Sequence, residues 1–522
     1  MAAESPVACS AVGCLLAVDA GTTGVRTLAF DESGSVRSAS YRPLTQRFPR
    51  PGWVEQDPEE IWALVAETLA DVAATVVREE DSVAAIGITN QRETALAWDR
   101  ATGRPLHPAI VWQDRRTAAR CEELTDSGLL PLVRERTGLV LDPYFSATKF
   151  EWMLGEGGVG AGGDLALGTV DAWLLFCLTG GSVFATDVSN ASRTMLFDIR
   201  TRAWTPELCE VFGVPVAALA EVRPSCGRLG TVAAGDGRLG AVGGLAGVPV
   251  SGVAGDQQAA LFGQACVEPG MAKVTYGTGS FLLAHAGPSC PGPYDGLLTT
   301  VAWDLGDHEL RDGASGVAYA LEGSTFVAGA AIQWLRDALG LFERSEDVGP
   351  LAGSVPDAGG VVVVPAFTGL GSPWWDPHAR GLVTGITRGT GRAQLARAVV
   401  EATAFSVRDM ADAMARALTD SIGTAITELR VDGGASAMDL LLQLQADQLQ
   451  LPVVRPRCIE STALGAAMLA GLAEGLWAAT QIAARWEADV ECAPGVDGEL
   501  ADLAHEAWLR AVERTRGWKQ PS

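Results

Sequence analysis

At 522 residues and 48% apolar side chains, the chain is long enough for two or more domains, each with its own core, and it has no apolar run near the ~20 residues that span a bilayer. A formal net charge of −24 argues against nucleic acid and anionic membrane surfaces as partners. Any phosphate ligand has to be held by backbone N–H groups, Mg²⁺ or a few basic side chains working against that field. The ten cysteines form no C-x-x-C pair and read as free thiols in a reducing, cytoplasmic compartment. The five histidines show no metal-ligand spacing, which argues against a zinc or iron site.

Residues 1–13 have no basic segment ahead of an apolar one and read as a disordered N-terminal extension rather than a signal peptide. Leu15–Asp19, Val25–Phe30 and Val36–Tyr41 then predict three strands joined by short turns. The turn between the first two, Asp19-Ala20-Gly21-Thr22-Thr23, lacks the lysine of a Walker A loop, and a strand rather than a helix follows it. Asp57-Pro58-Glu59-Glu60 opens a helix whose apolar face is Ile61, Trp62, Val65, Leu69, Val72 and Val76. "VAAIGITNQRET" follows as a buried strand ending in a polar turn, which completes a βββαβ beginning.

A related pattern restarts past the middle. Met271–Ala286 reads as strand, Gly/Thr turn, strand, with helical stretches around Thr325–Leu339 and Gln394–Ala417. "ELRVDGGASAMDLLLQLQADQL" is strand, Gly-Gly turn, helix. Gly155–Gly163 and Gly230–Gly247 read as surface loops, and Gln264–Gly270 is the expected boundary between halves.

Five segments carry chemistry. Asp19 at a strand end can hold Mg²⁺ through water while the turn's N–H groups meet phosphate; a plain Asx turn is the alternative. "TYGTGS" (Thr275–Ser280) is either a second phosphate turn or a simple hairpin. The Gly-Gly turn of "RVDGGAS" can pack flat against a base or ribose, or merely join strand to helix. Asp256 in "GVAGDQQAALFG" can accept a proton from a substrate hydroxyl, cap a helix, or do both. Arg92 and Glu93 would point to opposite faces of a regular strand, so a shared ligand requires them to sit in the turn after it. There a guanidinium fork beside a carboxylate suits a vicinal diol; a plain surface ion pair is the alternative.

These strings, with "PGWVEQDPEEIW", "AIVWQDRRTA", "GLVLDPYFSATKFEWML", "TDVSNASRTMLFDI", "AIQWLRD" and "VPAFTGLGSPWWDPHARG", resemble the FGGY family of carbohydrate kinases from about Leu15 to Leu476. Several are similar to its glycerol kinases rather than its sugar kinases. The resemblance implies an α/β fold of two actin-like ATPase (ribonuclease H-like) domains with an interdomain cleft. Residues 14–265 would form the N-terminal FGGY domain, on the glycerol and phosphate/Mg²⁺ side. Residues 266–522 would form the C-terminal domain, on the nucleotide side. The implied activity is ATP-dependent phosphorylation of glycerol to glycerol 3-phosphate, by a homodimer or homotetramer. The alternatives are a related polyol or triose kinase, for instance one favouring dihydroxyacetone, and a nucleotide-binding relative with weak catalysis.

Carried over residue by residue, the resemblance implies Asp256 as general base and Arg92, Glu93, Tyr144, Asp256 and Gln257 as glycerol contacts, flanked by Trp112 and Phe281. Asp19 would hold Mg²⁺. Thr22, Thr23 and Arg26 would line the ATP phosphates from one domain, and Gly277 and Thr278 from the other. Gly329, Gln333, Gly434, Ala435 and Met438 would sit near the nucleoside. The chain departs from the family pattern at Ala20, where Gln is usual, at Gly24-Val25, where Ser-Ser is usual, and at Met438, where Asn is usual. The first two remove side-chain donors near the phosphates, and the third leaves an apolar base contact.

Overall fold

The computed structural model describes residues 13–79, 81–160, 162–235, 242–310 and 316–518. The expected extension over 1–13 lies outside the described residues except for Gly13, which is buried. Two compact units form. The first gathers Met1–Ala259, Trp303–Val317 and Thr462–Arg485, and the second gathers Ala260–Ala302, Ala318–Ser461 and Trp486–Ser522. The break at Ala259/Ala260 falls just before the Gln264–Gly270 boundary, and the first unit also takes 303–317 and 462–485 from later in the chain.

In the first unit the three expected strands are β1 (Cys14–Ala20), β2 (Gly24–Phe30) and β3 (Val36–Pro43). With β4 (Val83–Asn90), β5 (Cys226–Thr231) and β6 (Pro249–Gly255) they make a six-stranded sheet in the order β5-β6-β4-β1-β2-β3. β1 pairs antiparallel with β2 and parallel with β4, and β4 pairs parallel with β6. The near-continuous burial of β1, β4 and β6 is that of central strands covered on both faces.

Helix α1 (Pro58–Arg78) starts where the sequence places it: Pro58 stands in the first turn and Asp57 Oδ1 accepts the Glu59 N–H at 3.0 Å, a cap worth about 1 kcal/mol. Ile61, Trp62, Val65, Leu69, Val72 and Val76 are all buried. They share one core with the helix α2 (Val170–Leu178), whose Trp173 Nε1 donates to the Pro58 carbonyl at 2.9 Å. Each such fully buried side chain contributes roughly 1.5–3 kcal/mol. Short helix α3 (Val188–Ala191) and α4 (Asp256–Gly263) follow polar strand ends. The loop expected over Gly230–Gly247 is narrower than the sequence suggests. Gly230 and Thr231 close β5, Val242 and Leu245 are buried in this core, and 236–241 lie outside the described residues.

In the second unit β7 (Ala272–Tyr276), β8 (Ser280–Gly287), β9 (Leu298–Asp304), β10 (Val317–Thr325), β11 (Leu429–Asp432), β12 (Val453–Pro456) and β13 (Ala488–Cys492) order as β9-β10-β8-β7-β11-β12-β13. β7 pairs antiparallel with β8 and parallel with β11. That repeats the pattern of β1 with β2 and β4, so the duplication is one of topology. Two helices differ from expectation. Thr325 pairs with Ser280 at the end of β10, so α5 runs only over Gly329–Asp337. The long α6 covers Arg392–Ile422 and stops at Gly423, whose φ of 67° ends it in the left-handed region. Helices α7 (Asp439–Leu449) and α9 (Gly498–Thr515) belong to this unit, whereas α8 (Ser461–Ala473) lies, from Thr462 on, in the first.

The close approach of α8 to the first sheet depends on two glycines. A Cβ at Gly87 would lie 2.2 Å from the Ala466 carbonyl oxygen, and one at Gly252 would lie 2.6 Å from the Ala470 nitrogen. Glycine there lets helix backbone lie directly on strand backbone.

Candidate active site

In the first unit, β1 delivers Asp19 to the rim of the sheet, in register with Arg26 on β2 and Thr89 on β4. Thr89 Oγ1 is buried with no hydrogen-bond partner among the described residues. The turn that follows is tied from below: the Gly21 N–H donates to the Gly24 carbonyl at 3.0 Å, and Gln56 Nε2 donates to the Thr22 carbonyl at 2.7 Å. Thr22 Oγ1 accepts from Trp112 Nε1 at 2.8 Å, and Thr23 is exposed. Arg26 lies over the Tyr41 ring, 5.8 Å from its centre. Tyr41 also explains Gly24: a Cβ there would come within 2.4–2.6 Å of the tyrosine Cε2, OH and Cζ.

β4 ends at Asn90, so Arg92 and Glu93 do sit in the turn beyond it. Glu93 has φ of 60°, in the left-handed region that a branchless turn residue normally takes. Such strain persists where surroundings over-determine it. Here Ser146 Oγ donates to the Glu93 carbonyl at 3.0 Å and Arg193 Nε lies 2.6 Å from Glu93 Oε1. The twist brings both side chains to one place. Arg92 Nε is 3.8 Å from Glu93 Oε1 and 3.2 Å from Asp256 Oδ1, its Nη1 donates to Gln258 Oε1 at 3.1 Å, and its Nη2 lies 3.4 Å from the Tyr144 hydroxyl.

Asp256 opens α4, and its Oδ1 accepts the Gln257 N–H at 2.7 Å. Its side chain keeps 31% exposure while Arg92 and Glu93 keep 2% each, so the carboxylate is the accessible member of the cluster. Trp112 and Tyr144 meet edge to face, with ring centres 5.5 Å apart. The first unit therefore brings together Arg92, Glu93, Tyr144, Trp112 and Asp256, with Gln257 beside them.

Sequence reading passed over three members. Arg193 neutralises Glu93, Gln258 supports Arg92, and Lys149 holds Tyr144. Lys149 Nζ donates to the Tyr144 and Pro143 carbonyls at 2.6 and 3.2 Å, and full burial pushes its ammonium down to about 8. The available signal was the presence of Lys149 and Arg193 inside otherwise apolar or small-residue strings, since a charge that cannot reach water needs a partner.

In the second unit Gly277, Thr278, Gly329, Gln333, Gly434, Ala435 and Met438 all line one cavity of about 730 Å³. Its floor is the β7–β8 turn, whose carbonyls are already engaged: Gly329 N–H donates to Gly277 and Ala328 N–H to Thr278, at 3.0 and 2.8 Å. A Cβ at Gly329 would stand 2.6 Å from the Gly277 carbonyl oxygen. Gly433, with φ of 85°, sits equally close to the Tyr276 carbonyl. Met438 lies against the Gly349 backbone, which gives that wall an apolar surface. Phe281 is carried by this unit, half-buried on β8.

Comparison with known proteins follows the same lines. Residues 14–263 match the N-terminal domain of the FGGY family of carbohydrate kinases, and 272–474 match its C-terminal domain. A glycerol kinase of Citrifermentans bemidjiense is 50% identical over 97% of this chain and 99% of its own length, and one of Trichlorobacter lovleyi is 52% identical with the same coverage. The solved glycerol kinase of Plasmodium falciparum with ADP superposes with a TM-score of 0.85 at 31% identity, covering 96% of this chain and 98% of its own. A gluconate kinase of Lactobacillus acidophilus, 20% identical, shares the fold with a TM-score of 0.83. With its actin-like two-domain α/β architecture, the chain belongs to the FGGY family of carbohydrate kinases.

Proposed function

We propose that the protein transfers the terminal phosphoryl group of ATP to a terminal hydroxyl of glycerol, giving glycerol 3-phosphate and ADP. The observation that carries this reading is the Arg92–Glu93 turn set against Asp256. It offers a guanidinium fork, a carboxylate and an accessible base within a few ångströms, beside the Trp112 and Tyr144 rings. Identity with glycerol kinases at about half of the positions over nearly the whole chain supports it.

In this reading Arg92 and Glu93 grip adjacent hydroxyls, one by donating and one by accepting, and Tyr144 and Trp112 wall the carbon chain, with Gln257 and Phe281 as further contacts. Asp256 accepts the proton as the hydroxyl oxygen bonds to phosphorus and the bridging oxygen leaves with ADP. A base of this kind is worth ~10²–10⁴ in rate, or about 3–5 kcal/mol of barrier. Thr22, Thr23, Arg26, Gly277 and Thr278 are assigned to the phosphates, and Gly329, Gln333, Gly434, Ala435 and Met438 to the nucleoside. The residues present suit Mg²⁺: Asp19 supplies a hard oxygen at a strand end, and the orphaned, buried Thr89 hydroxyl is its in-register neighbour. When bound, the ion neutralises charge on the phosphate oxygens. The reaction is assigned to the cytoplasm as part of this reading.

The test is ADP release from MgATP with glycerol, dihydroxyacetone, xylulose, ribulose or no acceptor, with the product identified. Glycerol-dependent formation of glycerol 3-phosphate well above the other acceptors is expected. Dominant turnover of dihydroxyacetone would replace glycerol by a triose, and nucleotide binding without acceptor-dependent turnover would overturn the kinase reading.

A further inference from the structure

Behind the candidate site lies a buried polar network that no proposed step uses. Asp187 is fully buried at the start of α3. Its Oδ1 accepts the Asn190 N–H and the Asn190 side-chain amide, both at 2.9 Å, and its Oδ2 accepts the Ser189 N–H at 2.9 Å and the Ser225 hydroxyl at 2.7 Å. Burial pushes this carboxyl up, while the Ser225, Asn190 and Ser189 donors pull it down.

Two branches lead from Asp187 to the two strand ends that carry the chemistry. Along the first, the Gly255 N–H donates to Ser189 Oγ at 2.9 Å, and Gly255 immediately precedes Asp256. Along the second, Asn190 and Asn90 exchange side-chain hydrogen bonds of 2.9 and 3.2 Å, and Asn90 ends β4 two residues before Arg92. Asn90 and Gly255 are themselves in register across β4 and β6. A third contact, from the Ser225 hydroxyl, leads to the residue before β5; the Ser225 carbonyl, which a Ser225→Ala change keeps, accepts the Val253 N–H of β6 at 2.9 Å, two residues short of Gly255.

We propose that Asp187 is a positioning residue which, through Ser189 and Asn190, sets the Asp256 carboxylate and the Arg92 guanidinium in one register for the transfer. The proposal rests on Asp256 serving as the base. An error of 1 Å in a reacting group can cost about 10²-fold in rate, so a hydrogen bond to the preceding peptide has kinetic consequences. Fully satisfied networks of this kind rigidify what they touch.

The test compares Ser189→Ala with Ser225→Ala in the full-length protein. Ser225→Ala removes a hydroxyl donor from Asp187, and Ser189→Ala removes the hydroxyl that accepts the Gly255 N–H, so both lower the melting temperature. Only Ser189→Ala releases Gly255. We expect kcat to fall 10- to 100-fold in Ser189→Ala with KM for ATP unchanged, and to stay within twofold of the starting protein in Ser225→Ala. Hydrogen exchange over residues 250–258 should accelerate in the first variant only, a readout that needs no turnover. Asp187→Asn should lower kcat and also raise KM for glycerol, because it loosens both branches. Equal kcat losses in the two serine variants, or unchanged exchange over 250–258 in Ser189→Ala, would overturn the positioning role. If the starting protein shows no glycerol-dependent turnover, the functional reading fails, and the exchange comparison still decides whether Asp187 fixes this strand end.

Discussion

Arg193 Nε lies 2.6 Å from Glu93 Oε1, with both side chains out of contact with solvent. Arg92 approaches the same carboxylate, so Glu93, only 2% exposed, faces two guanidinia. Removing one partner of such a pair leaves an uncompensated buried charge and typically costs 3–5 kcal/mol, about ten times an exposed ion pair. Glu93→Gln is expected to lower unfolding free energy by about that amount in urea titrations and to raise KM for glycerol. An unchanged urea midpoint would show that the pair is not holding the turn.

The nucleoside cavity predicts a separable effect. In Gly329→Ala the new methyl stands 2.6 Å from the Gly277 carbonyl oxygen, a backbone atom with no rotamer to swing away. Overpacking of this order costs about 1–3 kcal/mol. If it is paid in nucleotide binding, KM for ATP rises about tenfold or more while KM for glycerol moves less than twofold. Steady-state kinetics with each substrate varied in turn checks this.

Gly24 and Tyr41 are expected to be coupled. Gly24→Ser places its Cβ within 2.4–2.6 Å of the Tyr41 Cε2, OH and Cζ and forces that exposed side chain aside. The single substitution should destabilise by about 1 kcal/mol, and the same change in a Tyr41→Ala background should be close to neutral. A double-mutant cycle in urea reads the difference. Strict additivity would mean that the ring moves without cost.

Asp171 gives a pH dependence with a definite sign. Burial, and then the nearby Asp187 charge, push its carboxyl up from 3.8 to about 6, although the Thr169 and Thr186 hydroxyls donate to it. Between those values the folded protein holds a proton that the unfolded chain has released. This group's contribution is therefore fully favourable below about 4, declines as pH rises to about 6, and is flat above. Asp171→Asn removes the decline. The stability of the variant relative to the starting protein should climb by about 2 kcal/mol from pH 4 to pH 6, as read by urea denaturation at each pH. No change across that window would contradict the raised value.

Much of this was legible in the sequence because local signals and the tertiary result agreed. Asp57-Pro58 started α1 as written, and the apolar period of Ile61 to Val76 was the buried face. The Arg92–Glu93 turn was legible only on the condition that the two side chains share a ligand, since a strand would have separated them, and the burial of the pair, which rules out a surface ion pair, was not legible. What was not legible was long-range. Arg193 meets Glu93 across 100 residues, and nothing local to either names the other. Thr325 looked helical because the following run is, but its pairing with Ser280 places it in a sheet. The end of α6 was set five residues short because "LTDSI" breaks the apolar period while the backbone continues to Gly423.

The flush contact of α8 with Gly87 and Gly252 has a consequence for synthesis. Those glycines are made within the first half of the chain, and the helix that covers them is made last but for some fifty residues. As the polypeptide leaves the ribosome, the strands around Gly87 and Gly252 wait with one apolar face open until Ser461–Ala473 emerges. A truncated product ending near Gly263 carries that open face permanently, and aggregation is its expected fate. The first unit thus matures only after most of the second has been translated, so the order of its assembly is not the order of its numbering.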